Sequence, residues 1–369
     1  MTKNTMKIAI LTLPLHTNYG GILQAYALQI VLERIGHDVV IIDRMQHKNE
    51  PSVLTYLKRI ILKYLLRRNI RIFVEKKYNK SYPYVSKNTQ KFIDRYIHHV
   101  FTQPEYIKEK DFDAYVVGSD QIWRPSYYSP IQNAYLRFTK GWNVKRIAYA
   151  ASFGTDAWEY SPKQEKDCRE LIQGFDAVSV REQSGVQLCK KHFGINACHV
   201  LDPTLLLNAE DYIKLGVKED SQEQIVTYIL DDEPNTKETI EYISKKMDLP
   251  IHRANSRFEE YSAPIEERVQ PAVESWLSDL YNAKIVLTDS FHACVFSILF
   301  KKDFLVIGNT SRGQTRVLSL LHSLNLDDRL ICSLDSCDHV INKRIDYFKI
   351  DALVDKLKNE SLCFLRNNL

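Results

Sequence analysis

The sequence predicts an α/β protein built from two Rossmann-like domains that face a central cleft. Short apolar runs alternate with segments of helical periodicity along most of the chain. That alternation breaks at Asp202-Pro203 and then resumes. A length of 369 residues suits two domains of ordinary size.

The elements follow in order. Lys7 to Leu13 is a nearly continuous apolar run, the pattern of a parallel strand covered on both faces. After a loop from Pro14 to Gly21, Ile22, Ala25, Leu28, Gln29 and Leu32 fall at helical spacing, and Gly36 is placed to end that helix. Val39 to Ile42 is a second buried strand, which completes a βαβ unit. Strands are expected over 114–117, 147–151, 177–180 and 199–201, with helices over 162–172 and 183–193. A second series begins at strand 225–230. It continues through helix 237–246, a short strand near 251, helix 271–281, strand 284–288, helix 291–300, strand 304–307 and helix 314–324. Residues 350–364 read as a terminal helix that packs back on the first domain. The resulting division is 1–205 for the N-terminal domain, with a basic insertion at about 45–110, and 206–369 for the C-terminal domain.

Composition excludes several classes. Hydrophobic residues at 44% and charged residues at 26% are those of a globular protein, and no run is long and apolar enough to span a bilayer. Seven cysteines without any Cys-x-x-Cys pair argue against a disulfide framework or a zinc site, so a reducing, cytoplasmic setting is expected. The net charge of +4 is too small to imply nucleic acid, but it is uneven. Between Arg44 and Lys80 there are eleven Lys or Arg against two acids. Within 52–78, apolar residues at helical spacing interleave with Lys58, Arg59, Lys63, Arg67, Arg68 and Arg71. Such a helix either packs its apolar stripe on the first domain or lies on an anionic membrane surface, here the inner membrane face.

Five motifs sit where strands give way to helices. Asn18, Gly20 and Gly21 lie in a glycine-containing loop before the first helix, where backbone N–H groups can approach an anion. The spacing is not that of a dinucleotide loop. Ser119, Asp120 and Gln121 follow the strand at 114–117 and precede Trp123, which packs in the core if the loop is only a capped turn. Arg181 follows the strand at 177–180, either to clasp a carboxylate or phosphate or to form a surface pair with Glu182. Asp289, Ser290 and His292 open the helix after strand 284–288. Histidine exchanges protons near neutral pH, but a helix N-terminus disfavours imidazolium. An acid role there needs nearby negative charge, from Asp289 or a bound anion. Arg312 and Arg316, four apart, share one helix face and could form an anion site beside His292.

Taken together, the motifs resemble the polysaccharide pyruvyl transferase family. The resemblance rests on Asn18-Tyr-Gly-Gly21 with Leu23 to Gln29, Gly118-Ser-Asp-Gln-Ile-Trp123, Ala148 to Gly154, Ser179-Val-Arg-Glu182, Asp202-Pro-Thr-Leu-Leu206 and Thr288-Asp-Ser-Phe-His-Ala293. It implies a glycosyltransferase-B-like architecture. It also implies transfer of pyruvate from phosphoenolpyruvate to a sugar hydroxyl of a surface-polysaccharide precursor, commonly as a cyclic ketal with release of phosphate. No cofactor or metal is expected beyond phosphoenolpyruvate as donor substrate. The glycan acceptor would be free or lipid-linked. The resemblance places Arg181 and His292 in the donor site, with Arg312 or Arg316 as a further cation. His292 would be the general acid, and Asp120 or Asp289 would orient the sugar or accept a hydroxyl proton. Many relatives carry an arginine where this chain has Ser290, so Arg312 or Arg316 would have to supply that charge. The competing readings are a nucleotide-sugar glycosyltransferase and a non-catalytic glycan- or anion-binding relative.

Overall fold

A computed structural model describes residues 5–44, 50–231, 234–258, 260–308, 314–331 and 334–369. The first part of the chain runs β1 (Lys7–Leu11), α1 (Tyr19–Ile35), β2 (Asp38–Asp43), α2 (Val53–Tyr64), α3 (Val74–Val85), α4 (Lys87–Tyr96), β3 (His99–Phe101) and β4 (Ala114–Val117). It continues with β5 (Lys145–Ala151), α5 (Pro162–Ile172), β6 (Ala177–Val180), α6 (Gln183–Leu188) and β7 (Cys198–His199). The second part runs α7 (Ala209–Ile213), β8 (Ile225–Tyr228), α8 (Pro234–Met247), β9 (Ile251–Arg253), α9 (Val273–Asn282), β10 (Ile285–Thr288) and α10 (Phe291–Leu299). It ends with β11 (Asp303–Ile307), α11 (Thr315–Ser323), β12 (Leu330–Ile331), α12 (Leu334–Val340) and α13 (Tyr347–Asn368).

Two parallel sheets result. The first has seven strands in the order β3-β2-β1-β4-β5-β6-β7, and the second has five in the order β12-β11-β10-β8-β9. Both orders reverse beside their first strand, which opens a crevice at the carboxyl ends. Register is set by apolar pairing: Ile10 lies opposite Ile41 on one side and Val116 on the other. Strand β4 is wholly buried, as expected for a strand covered on both faces. Gly36 ends α1 in the left-handed region at φ 107°, and its N–H bonds back into the last turn.

Helix α1 joins the two sheets. Tyr19 at its start stacks on Trp276 of α9 with ring centroids 5.0 Å apart, and its hydroxyl donates to Pro271 O at 2.9 Å. One buried apolar cluster therefore contains residues of both sheets' helices, including Ile22, Leu205, Trp276 and Phe296. The terminal helix α13 returns to the first sheet. Ser361 Oγ accepts from Leu201 N–H at 3.0 Å, and Phe364 packs its ring against Tyr149.

The insertion departs from expectation. The apolar periodicity predicts a single helix through 52–78, yet α2 ends at Tyr64 and α3 begins at Val74. No residue of α2 is buried, so its apolar stripe does not pack on the first domain.

Candidate functional site

The strand-to-helix loops converge at the carboxyl ends of both sheets, around a cavity of about 450 Å³. Its wall includes His16, Asn18, Asp120, Gln121, Asp289, Ser290, His292 and Arg316. Of the residues singled out by sequence, Gly20, Gly21, Ser119 and Arg181 are not on that wall. Arg312 lies outside the described residues.

His292 is positioned by three parts of the fold. Thr288 at the end of β10 receives the Ser290 N–H at 2.9 Å, and Ser290 caps α10. The histidine therefore stands in the first helical turn. Its Nε2 faces Asp202 Oδ2 at 3.6 Å. On the other side its ring lies against Gly20, where a Cβ would come within 1.9 Å of Nδ1. Glycine at 20 thus leaves room for the ring of a residue from the opposite sheet.

Asp202 is the hub beneath the site. It is buried, and Oδ2 accepts from Arg181 Nη1 at 2.7 Å and from Ser119 Oγ at 3.0 Å. Oδ1 accepts from the Thr204 N–H at 3.0 Å and from its hydroxyl at 2.6 Å. Burial penalises the carboxylate, but His292, Arg181 and Thr204 outweigh that and hold it well below the usual carboxylate range. In the sequence Asp202-Pro203 marks only a break between domains and part of a family motif. A buried acid has no local sequence signal, because all its partners except Thr204 are remote in the chain.

Asp120 is the second carboxylate. The chain turns sharply before it: Gly118 adopts φ 134°, and a Cβ there would lie 1.9 Å from Tyr149 O. Asp120 itself sits in the left-handed region at φ 46°, a sparsely populated conformation for a non-glycine residue. Its Oδ1 lies 3.4 Å from Arg181 Nη2. Burial opposes its ionisation, but Arg181, His292 and Arg316 lower its pKa nonetheless. Trp123 is core, stacked on Tyr135 with its Nε1 donating to Ala134 O.

Asp289 stands on the cavity wall with His292. Its oxygens accept from the Leu230 and Asp231 N–H groups at 2.7 and 3.0 Å, so it anchors the loop after β8. Asp202 and Asp120 add negative charge beside His292. Arg181, for its part, is buried below the cavity. Its guanidinium spans Asp202 and Asp120 and lies 4.6 Å from the Phe291 ring centroid. It is not a surface pair with Glu182. That residue is also buried, accepting from the Phe153 and Gly154 N–H groups and the Ser152 hydroxyl.

Arg316 reaches the cavity, whose wall also includes Arg253 and Arg257, the latter paired with Glu260 and Glu267. Arg316 makes no ion pair among the described residues, and its Nε is buried without a partner. Burial and the like charge of Arg181 lower its pKa to about 10, so it stays cationic at neutral pH. His16, a cavity residue not chosen from sequence, has its pKa lowered by burial against the opposing pull of Asp120. Asn18 caps α1 by accepting from the Gly21 N–H at 3.2 Å. Gln121 Oε1 accepts from Arg124 at 3.1 Å. The cavity wall therefore offers Arg316 and Arg253, neither in an ion pair among the described residues, together with Arg257, His16 and His292, above a buried acidic floor. Chemically, that set can hold an anion and move a proton next to it.

Comparison with solved structures gives the fold. Arabidopsis thaliana UGT89C1 complexed with UDP-L-rhamnose aligns over 99% of this chain and 99% of its own, with TM-score 0.52 at 11% identity. A glycosyltransferase from Rickettsia africae ESF-5 aligns over 99% of this chain and 94% of its own, with TM-score 0.51 at 13% identity. At such identity the likeness is one of architecture, glycosyltransferase-B-like, and does not extend to function. No curated protein sequence matches the chain. The family model for polysaccharide pyruvyl transferase matches residues 18–311, which include Asn18, Asp120, Arg181, Asp202 and His292. The chain belongs to the polysaccharide pyruvyl transferase family.

Proposed function

We propose that this protein transfers pyruvate from phosphoenolpyruvate to two hydroxyls of a sugar in a surface-polysaccharide precursor, forming a cyclic ketal and releasing phosphate. The observation that carries the reading is Arg316, a half-buried cation with no ion pair among the described residues, on the wall of the same cavity as His292. A donor bearing a carboxylate and a phosphate needs fixed positive charge to offset its desolvation. Arg316 supplies that charge directly, in place of the arginine that Ser290 replaces. Arg181 contributes from below the floor.

His292, flanked by the Asp202 and Asp120 carboxylates, protonates the methylene carbon of the donor. The double-bond electrons form the new C–H bond, and the adjacent carbon becomes oxocarbenium-like. A sugar hydroxyl attacks that carbon. Its proton passes to His16, whose burial favours the neutral form able to accept it. The second hydroxyl then displaces phosphate from the same carbon, and its proton leaves with the phosphate. Asp202 touches no reacting atom in this scheme. It acts by orienting His292 and balancing its charge.

The test is calorimetric titration of the protein with phosphoenolpyruvate and, separately, with UDP-L-rhamnose, followed by turnover of His292→Gln. The proposal expects donor binding by phosphoenolpyruvate alone. It also expects the variant to retain that binding while kcat falls about 10²–10⁴-fold, the range for a lost general acid. Binding of the nucleotide sugar without phosphoenolpyruvate would favour a glycosyltransferase.

A further inference from the structure

The insertion between β2 and β3 carries a surface that the chemistry above does not use. In α2 and the residue after it, Val53, Leu54, Leu57, Ile61, Tyr64 and Leu65 are each between 49% and 77% exposed. At helical spacing these six fall within an arc of about 120°. The opposite side holds the helix to the protein. Arg59 pairs with Glu75 through two bonds of 2.8 and 2.9 Å, and Tyr56 packs on Phe73. Soluble proteins rarely leave so concentrated an apolar face in water.

Charge identifies what covers it. From Pro51 to Val74 the chain has six Lys or Arg and no acid. Lys58, Lys63, Arg67 and Arg68 are exposed and make no ion pair among the described residues. A second copy docked through the same face would bring two sets of six cations together. An anionic bilayer satisfies both features, because the apolar face enters the headgroup–acyl boundary while the cations meet lipid phosphates. The surface also adjoins the cleft. Arg71 packs over the Tyr261 ring and Lys77 Nζ donates to Tyr261 O. Tyr261 follows Arg257, Phe258 and Glu260, which line the cavity.

We infer that α2 and the basic turn after it seat the protein on an anionic phospholipid surface, with the cleft mouth beside the bilayer. The inference does not depend on which donor is used. Co-sedimentation at low salt would compare phosphatidylcholine vesicles with vesicles of equal parts phosphatidylcholine and phosphatidylglycerol. Binding to the anionic vesicles should be tenfold tighter or more, and should weaken as salt is raised. Changing Lys58, Lys63, Arg67 and Arg68 together to Gln should abolish that preference. Leu57→Ser with Ile61→Ser should weaken binding about tenfold while thermal melting is unchanged, since neither side chain is buried. Equal partition onto both vesicle types, or no binding to either, would overturn the inference. So would wild-type binding by the Leu57→Ser, Ile61→Ser variant, or sedimentation as a dimer without affinity for vesicles.

Discussion

Two arginines in the site hold like charge in unlike surroundings, and their substitutions should separate cleanly. Arg316 faces the cavity without an ion pair among the described residues, so Arg316→Ala should weaken phosphoenolpyruvate binding by about 1.5–3 kcal/mol, the range for hydrogen bonds to charged groups. Its folding stability should change little, and titration calorimetry with chemical denaturation reads both. Arg181 is buried between two carboxylates. Removing it leaves Asp202 and Asp120 uncompensated, so Arg181→Ala should lose about 3–5 kcal/mol of stability. A variant at 181 that unfolds normally but fails only to bind donor would place the guanidinium on the donor instead. Sequence reading found both arginines but not their different tasks. Arg181 follows a strand in a pattern equally suited to either role, and only the fold brings Asp202 beneath it. The same limit hid Asp202, and with it the two acceptor bonds by which Asp289 holds a loop about 58 residues earlier.

Among elements, the central βα units were legible because strands such as β4, β8 and β10 are buried along their length and read as apolar runs. Helix α5, for example, runs over the residues expected of it, from Pro162 to Ile172, and the structure adds a capping box at its start. The insertion was not legible. Its apolar stripe is exposed, so burial imposes no continuity on 52–78, and β3 is a three-residue edge strand. The loop after β1 shows how one acid ties elements together. Asp43 Oδ1, at the end of β2, accepts from Leu15 N–H at 3.0 Å and Arg44 N–H at 2.8 Å, and His99 Nδ1 lies 3.9 Å from Oδ2. Burial raises its pKa to about 6, despite the lowering effect of those bonds and of the Arg44 charge. The folded value lies above the unfolded one, so this contribution is fully present below about pH 4. It is lost as pH rises through 6, at a cost of roughly 3 kcal/mol. Urea unfolding at pH 4 and pH 7 should show Asp43→Asn gaining stability relative to the parent at the higher pH. A constant difference between the two proteins would contradict the assignment. Loop 14–18 carries His16, so the same bond helps place a cavity residue.

At the scale of the whole molecule, the site exists only where the two sheets meet. His292 comes from the second sheet's side and Gly20 from the first, and their contact leaves no space for a methyl group. Gly20→Ala should displace the ring and lower kcat about 100-fold, as expected for a misplacement near 1 Å. Donor affinity should fall less, because Arg316 is untouched. Steady-state kinetics beside calorimetry would separate the two, and unchanged kcat would mean the ring position is immaterial. The measurement closest to the central claim is mass analysis of a sugar acceptor incubated with the protein and phosphoenolpyruvate, with phosphate release followed in parallel. Acceptors from surface-polysaccharide precursors should gain the mass of pyruvate less one water, one phosphate should appear per acceptor modified, and the initial rates of both should fall about 10²–10⁴-fold in His292→Gln. Acceptors that gain a hexosyl or deoxyhexosyl mass from a nucleotide sugar, with phosphoenolpyruvate left intact, would contradict pyruvyl transfer.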